Sequence, residues 1–334
     1  MIQLKYSKDS FFELRPEDTV MVNDVLYIVE KTTRGGMGFV VLLRIGPNAR
    51  QTMTALGMSL ALKAVLPGSS DEGGEEMFKR ELAVWAGFRH WNLVRLLDIF
   101  DGGDAGWVAA MDWHHGSLAD YLKSRGKLSL KESTHIMLHL IEGLDYAYCE
   151  SQVLHLDLKP ANVLYGMDMN SIFTPVDLTD APALKYRFMV SDWGIASVKK
   201  ATFAALQSSG KLDMQTLNNI GTTAYMAPER FIHGTSSSLA SDVFSLGLMY
   251  YEMLTGHLPW AGGTDPRLSI SSGEYHADAA RTLVFNKIAK PIRLLILAMM
   301  AFDPADRPGS YKSLRRNIVK SYRRSSSLWA KFIN

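Results

Sequence analysis

The spacing of apolar residues changes character at Gly116, and no other feature constrains the fold as tightly. Before that point the apolar runs are short and rich in β-branched residues. Thr19–Val29 carries a turn at Asn23-Asp24, and Phe39–Ile45, Ser59–Val65, Leu93–Phe100 and Trp107–Met111 read as further strands. Gly35-Gly36-Met37-Gly38 and Gly46-Pro47-Asn48 separate them with turn residues. Only Glu75–Gly87, with Met77, Phe78, Leu82 and Trp85, has helical spacing in this part. Beyond Gly116 the period is helical, over Leu130–Cys149, Ser241–Leu254, Ala279–Ile288 and Ile292–Phe302. The expected class is α+β and bilobal: a small antiparallel β-rich unit with one helix, then a larger, mainly α unit. A cleft between two such units is a common place for a ligand.

Composition narrows the function classes. A length of 334 residues suits two units, and 47% hydrophobic with 21% charged residues is ordinary for a globular chain. The formal net charge of +2 provides no overall field for direct nucleic-acid binding. Cys149 is the single cysteine, which excludes an internal disulfide framework and fits a reducing compartment. Its helical, apolar surroundings predict an inert core thiol. The first residues, Met1-Ile2-Gln3-Leu4-Lys5, do not read as a secretory leader. No run approaches the roughly 18 apolar residues of a membrane span, so a cytoplasmic location is expected. Two segments, 68–74 and 201–219, read as loops, and Lys320–Asn334 reads as a solvated basic, Ser-rich tail.

The chemistry is concentrated in His155-Leu156-Asp157-Leu158-Lys159-Pro160-Ala161-Asn162. This loop places a carboxylate, an ammonium and an amide two and three residues apart. Such a set can accept a proton from a hydroxyl, offset the charge of a phosphate and carry a hard metal ion. The natural reading is phosphoryl transfer.

Taken in order, the motifs resemble the eukaryotic-like serine/threonine protein kinases from about Val25 to Ile318. The motifs are a glycine hairpin (Gly35, Gly36, Gly38), Lys63 in Leu60–Val65, Glu81 on the following helix and the catalytic loop. After these come Asp192-Trp193-Gly194, Ala227-Pro228-Glu229, Asp242 and Arg307. The Arg-Gly-Gly-Met-Gly turn looks particularly like bacterial members. The resemblance implies the protein-kinase fold, with residues 1–24 as a flank, 25–111 as the small lobe and 112–117 as a hinge. Residues 118–319 would form the large lobe and 320–334 a tail. It implies ATP and Mg²⁺ as cofactors, with Mn²⁺ as an alternative ion, and protein Ser/Thr hydroxyls as substrates.

Residue by residue, it implies that Asp157 is the base, Lys159 offsets phosphoryl charge, and Lys63 pairs with Glu81 and the phosphates. Asn162 and Asp192 would hold the metal. The adenine would lie among Val40, Ala61, Met111 and Leu164, beside the backbone of Asp112 and His114. Thr222 would face the polypeptide substrate, while Glu229, Arg307 and Asp242 would be structural.

Three departures matter. Thr33 stands for the first glycine, and Trp193 for the usual phenylalanine, expected beside His155, Trp85 and Leu96. Leu156 stands for the arginine that usually grips a phosphate on the activation loop. That last change implies activity without such a phosphate, and together the three keep open the alternative of a nucleotide-binding pseudokinase scaffold. The interval from Asp157 to Asp192 is also longer than usual, with the excess in 166–185. Arg323-Arg324-Ser325-Ser326 resembles a basic-directed autophosphorylation site.

Overall fold

The computed structural model of the protein describes residues 4–34, 38–46, 59–65, 82–167, 186–193, 223–231, 238–260, 269–270 and 272–333. The chain divides into two units, residues 1–114 with 193–221, and residues 115–192 with 222–334.

The first unit is built on a seven-stranded antiparallel sheet. Its strands are β1 (Lys5–Tyr6), β2 (Thr19–Val22), β3 (Val25–Arg34), β4 (Gly38–Ile45), β5 (Ser59–Val65), β6 (Leu96–Asp101) and β7 (Trp107–Asp112), ordered β1-β2-β3-β4-β5-β7-β6. Asn23 and Asp24 have φ of 49° and 60° and close the β2–β3 hairpin. Two consecutive positive φ values match the right-handed twist of the flanking strands, and Asn and Asp tolerate them better than other side chains. Residues 4–22, expected as a flank, therefore supply two strands and part of the core. Leu4, Phe11, Leu14, Val20 and Val22 join Val41, Leu43, Leu60, Leu62, Val108 and Ala110 in one buried cluster. β1 carries too few residues for a period-2 pattern to stand out, whereas β2 falls within the strand read over Thr19–Val29. Of the expected helix at 75–87, residues 82–87 are helical and the rest lie outside the described residues.

In the second unit, β8 (Gly116–Ser117), β9 (Val163–Met167) and β10 (Tyr186–Val190) form a small sheet ordered β10-β9-β8. Met167 pairs with Tyr186 at the end of the β9–β10 hairpin, so the extra residues of the long interval connect these two strands. The helices are α1 (Leu118–Arg125), α2 (Leu130–Ser151), α3 (Leu239–Thr255), α4 (Glu274–Phe285), α5 (Lys290–Met299) and α6 (Tyr311–Ile333). Ser117 and Asp120 form a capping box on α1, which ends at Gly126 with φ of 69°. Buried along almost its whole length, α3 packs against α2, α4 and α5. A helix apolar all round belongs in a core. Gly247 allows the close approach of α5, since a Cβ there would stand 2.8 Å from Met300 Cγ and 2.9 Å from Met299 Cβ. No helix among the described residues is long and apolar enough to cross a membrane.

Two expectations fail in this unit. Cys149 is exposed, because it lies about 200° around the helix from Ala147 on the buried face of α2. Residues Lys320–Ile333 of the expected solvated tail continue helix α6, whose Tyr311, Leu314 and Ile318 are buried. Ser325 is fully buried, and its hydroxyl donates to the Ser321 carbonyl at 2.8 Å. A dianionic phosphate at Ser325 would lose its hydration without gaining a built partner. Ser325→Ala should therefore shift stability by under about 1 kcal/mol. Ser325→Asp should cost several times that in a denaturant titration, and mass spectra of ATP-treated protein should show Ser325 unmodified.

Candidate active site

The catalytic-loop candidates sit between α2 and β9, and a single buried carboxylate organises them. Asp242, in the first turn of α3, is fully buried. Its Oδ2 accepts the His155 N–H (2.8 Å) and its Oδ1 the Leu156 N–H (2.7 Å). Tyr311, from α6, donates its hydroxyl to Oδ2 at 2.9 Å. Burial, followed by the charge of Asp242 and this hydrogen bond, pushes the Tyr311 hydroxyl well above the phenol range, so it stays a donor. Three donors offset the cost of burying that charge.

His155 links the loop to the strand that precedes Asp192. Its Nδ1 accepts the Asp157 N–H at 3.2 Å, so Nε2 carries the ring proton and donates to the Ser191 carbonyl at 2.8 Å. Ser191 returns two bonds to the Asn162 carbonyl, from its N–H and its hydroxyl, each at 2.9 Å. Asp192 follows with φ of 64°, a left-handed conformation that is strained for aspartate.

Asp157, Lys159 and Asn162 come together around one oxygen. Asp157 Oδ2 accepts from Asn162 Nδ2 at 2.9 Å and pairs with Lys159 Nζ at 3.1 Å. Asn162 Nδ2 also donates to the Asp157 carbonyl at 2.8 Å. Two acceptors on Nδ2 assign the amide orientation, and Oδ1 is then the atom with which Asn162 can meet a cation. Among the described residues no three His, Cys, Asp or Glu cluster as a metal site. A ligand set of one amide oxygen and one carboxylate suits Mg²⁺, which is held by one or two protein oxygens with the remainder from phosphates and water. Asn162 and Asp192 thus fit the implied ion.

Leu156 is clamped from both sides. It adopts φ of 59°, its N–H goes to Asp242, and its carbonyl accepts from Arg230 Nη1. Burial lowers the Arg230 pKa, opposed by the carboxylates of Asp242, Asp157 and Glu229. Arg230 is the residue that sequence reasoning missed. The only signal for it is its place directly after Ala227-Pro228-Glu229.

Glu229 and Arg307 form a buried bidentate pair, Nη1–Oε1 and Nη2–Oε2 both at 2.9 Å. The other Arg307 donors go to the carbonyls of Ala301, Ala240 and Phe302 at 2.8–3.0 Å, so all five N–H groups are used. Ser241 adds a third donor to Glu229 at 2.7 Å. Burial alone would raise the Glu229 pKa, but the bonds and charge of Arg307 outweigh it and hold it below the usual value. Nearby, the Tyr225 hydroxyl donates to Glu252 at 2.6 Å and its carbonyl accepts from Ser245 at 2.7 Å. Lys159, Tyr225, Glu252 and Leu122 line a cavity of about 320 Å³.

In the first unit, strand pairing sorts the candidates onto one face. Val40 pairs with Lys63 and Ala61 with Met111, and directly opposed residues share a face. Lys63, Ala61 and Met111 are buried. Gly38 leaves room for the lysine, since a Cβ there would stand 3.3 Å from Lys63 Cε. Asp112 is held by Arg95 through two bonds of 3.1 Å, and its N–H donates to the Arg95 carbonyl at 3.3 Å. Trp85 is buried and donates Nε1–H to the Val94 carbonyl at 2.7 Å. Trp193 packs edge-on against Phe88, with centroids 5.1 Å apart. Leu164 lies on β9 opposite Met189. Gly35, Gly36, Glu81 and Thr222 lie outside the described residues, as do the 168–185 insertion and the 201–219 loop.

Residues 46–319 match the protein kinase domain family. The chain belongs to the protein kinases. It is 25% identical over 257 residues to the serine/threonine-protein kinase H1 homolog of Danio rerio, covering 76% of this chain and 54% of that one. The serine/threonine-protein kinase PrkC of Bacillus subtilis is 25% identical over 247 residues, 73% of this chain and 33% of its own length. The chain thus spans about half, or less, of the curated relatives it matches. A crystal structure of Rad53 1-466 in complex with AMP-PNP superposes with a TM-score of 0.63 at 21% identity, over 95% of this chain and 79% of that one. That likeness shows the fold.

The Glu229–Arg307 pair is accessible to a pH test. A lowered folded pKa stabilises fully above the unfolded carboxylate value of about 4.3 and is lost as pH falls through the folded value. Glu229→Gln should cost about 3–5 kcal/mol at pH 7 in denaturant titrations. The gap to wild type should narrow steadily below about pH 4.

Proposed function

We propose that this kinase domain is an active ATP-dependent serine/threonine protein kinase. The observation that carries the proposal is the convergence of Asn162 and Lys159 on Asp157 Oδ2, beneath a backbone fixed by Asp242. Two donors on one carboxylate oxygen fix its rotation, as a proton acceptor aimed at a hydroxyl needs. Asp157 orients the substrate Ser or Thr hydroxyl and accepts its proton as the new O–P bond forms and the bond from the γ-phosphorus to the β,γ-bridging oxygen breaks, with ADP leaving. Lys159 offsets the charge spreading over the transferring phosphoryl. Asn162 Oδ1 and Asp192 would hold Mg²⁺, and Lys63, with Glu81, would orient the phosphates. Bound ATP·Mg²⁺ supplies the phosphoryl group and its charge neutralisation. Val40, Ala61, Met111 and Leu164 contact the adenine, with Asp112 and His114 offering backbone groups. Thr222 and the cavity beside Lys159 and Tyr225 receive the polypeptide.

Control by an activation-loop phosphate is dispensable in this proposal. Leu156 supplies no guanidinium to bind one, and the loop is held instead through its backbone by Asp242 and Arg230. Retention of Lys63, Asp157, Asn162 and Asp192 speaks against a pseudokinase scaffold.

Two measurements test this. With radiolabelled ATP, Mg²⁺ and a generic protein substrate, Asp157→Ala should lose about 10²–10⁴-fold in rate; a rate equal to wild type removes the catalytic assignment. Phosphatase-treated protein should keep its initial rate, while a phosphomimic-dependent rate would refute independence from the loop phosphate.

A further inference from the structure

The back of the small-unit sheet carries an element outside the residues matched by the kinase family. Strand register separates two faces. Val40 and Lys63 point to one side, and their neighbours Phe39 and Ala64 to the other. If Lys63 faces the nucleotide, Phe39 lies on the back, where the buried core of the unit is found. The residues covering that core around Phe39 come from the N-terminal segment.

Phe11 and Phe12 form a short helical turn, capped by the Ser10 hydroxyl accepting from the Phe12 N–H at 3.2 Å. Both rings stand 5.9 Å from Phe39, Phe11 edge-on at 87° and Phe12 tilted at 57°. Phe39 pairs across the glycine hairpin with Arg34, the last residue of β3. The Arg34 guanidinium lies 5.3 Å from the Phe39 ring centre and donates Nη2–H to the Phe12 carbonyl at 2.9 Å. The two roots of the glycine hairpin are therefore gripped by one dipeptide.

That dipeptide is itself anchored at the far edge of the sheet. Asp104, in the turn between β6 and β7, accepts the Tyr6 hydroxyl (2.6 Å), the Phe11 N–H (3.2 Å) and the Ser10 hydroxyl. The Leu4 N–H donates to the Asp101 carbonyl at 2.9 Å. Burial would raise the Asp104 pKa, but its bonds from Ser10, Tyr6 and Phe11 hold it below the usual value. The Tyr6 hydroxyl is pushed up to about 12 by burial and by Asp104. The anchor is an ionised acceptor facing neutral donors at neutral pH.

We propose that Tyr6–Leu14 is a strap that fixes the adjoining ends of β3 and β4, Arg34 and Phe39, from behind, with Arg34 as the positioning residue that transmits it. This rests on the nucleotide-binding reading of Lys63 and the glycines. A strand pair fixed at this end costs less to order when a nucleotide binds beside Lys63, so the strap acts on ATP affinity.

The test uses the full chain and two separate cuts in the strap. Arg34→Met removes the root contact, and Asp104→Asn loosens the anchor at the opposite end. Each should raise KM for ATP and the calorimetric Kd for Mg²⁺·ATP about tenfold, the worth of one charged hydrogen bond with its ring contact. In each, kcat should stay within about twofold and KM for the protein substrate should not change. Arg34→Lys, which keeps the cation, should recover part of the loss. A merely structural role would instead lower the active fraction and hence apparent kcat, with KM for ATP unmoved. Hydrogen exchange of residues 32–42 should speed up in both variants, and this readout does not need catalysis. Absent phosphotransfer by wild type would strike at the proposed function, while faster exchange would still support the strap. Wild-type ATP affinity and wild-type exchange in both variants would overturn it.

Discussion

One buried carboxylate, Asp242, sets the geometry on which the catalytic loop depends. It joins three segments far apart in the chain: the loop at 155–156, the start of α3, and Tyr311 of α6. An anion without water needs donors fixed in place, and the donors available are two consecutive amides and one phenol. Meeting that need places the peptide units of His155 and Leu156, and Leu156 takes up a left-handed φ. Asp157 then follows in a fixed direction. The carboxylate of Asp157, the proposed base, is thus aimed by one outside the proposed reaction.

The neighbouring ion pair works by the same physics for a different end. Arg307 spends all five donors inside the protein, two on Glu229 and three on carbonyls. This ties the segment after Tyr225 to the turn before α6. Arg230, one residue along, reaches the Leu156 carbonyl. The segment at 225–231 and the loop at 155–162 thus share one hydrogen-bonded frame. In the small unit the sheet divides its labour by face, with Lys63, Ala61 and Met111 on one side and the apolar core and N-terminal segment on the other.

Much of this was legible in the sequence where the information is local. The octapeptide at 155–162, Lys63 in its strand and the Asn23-Asp24 turn all declare themselves through neighbours in the chain. The long helices were visible because α2 and α3 bury several residues at helical spacing. What escaped is long-range or short-patterned. The Arg230–Leu156 contact spans 74 positions, and nothing local marks it. The two-residue strand Lys5–Tyr6 is too brief to show alternation. The end of the chain misled because cations at Lys320, Arg323 and Arg324 masked the apolar series Tyr311, Leu314, Ile318 that seats α6. Cys149 misled in the opposite sense, an apolar-looking residue on the outer face of a helix.

The most direct test of this account is to weaken the Asp242 anchor and leave the reacting groups untouched. Asp242→Asn keeps one acceptor but sets an amide N–H against the donors on the other side. Phosphoryl transfer and Mg²⁺·ATP affinity should be measured side by side on the folded variant. The account predicts a fall in transfer rate of about 10²-fold, as a misaimed base produces, with ATP affinity within about threefold of wild type. A transfer rate equal to wild type would contradict it.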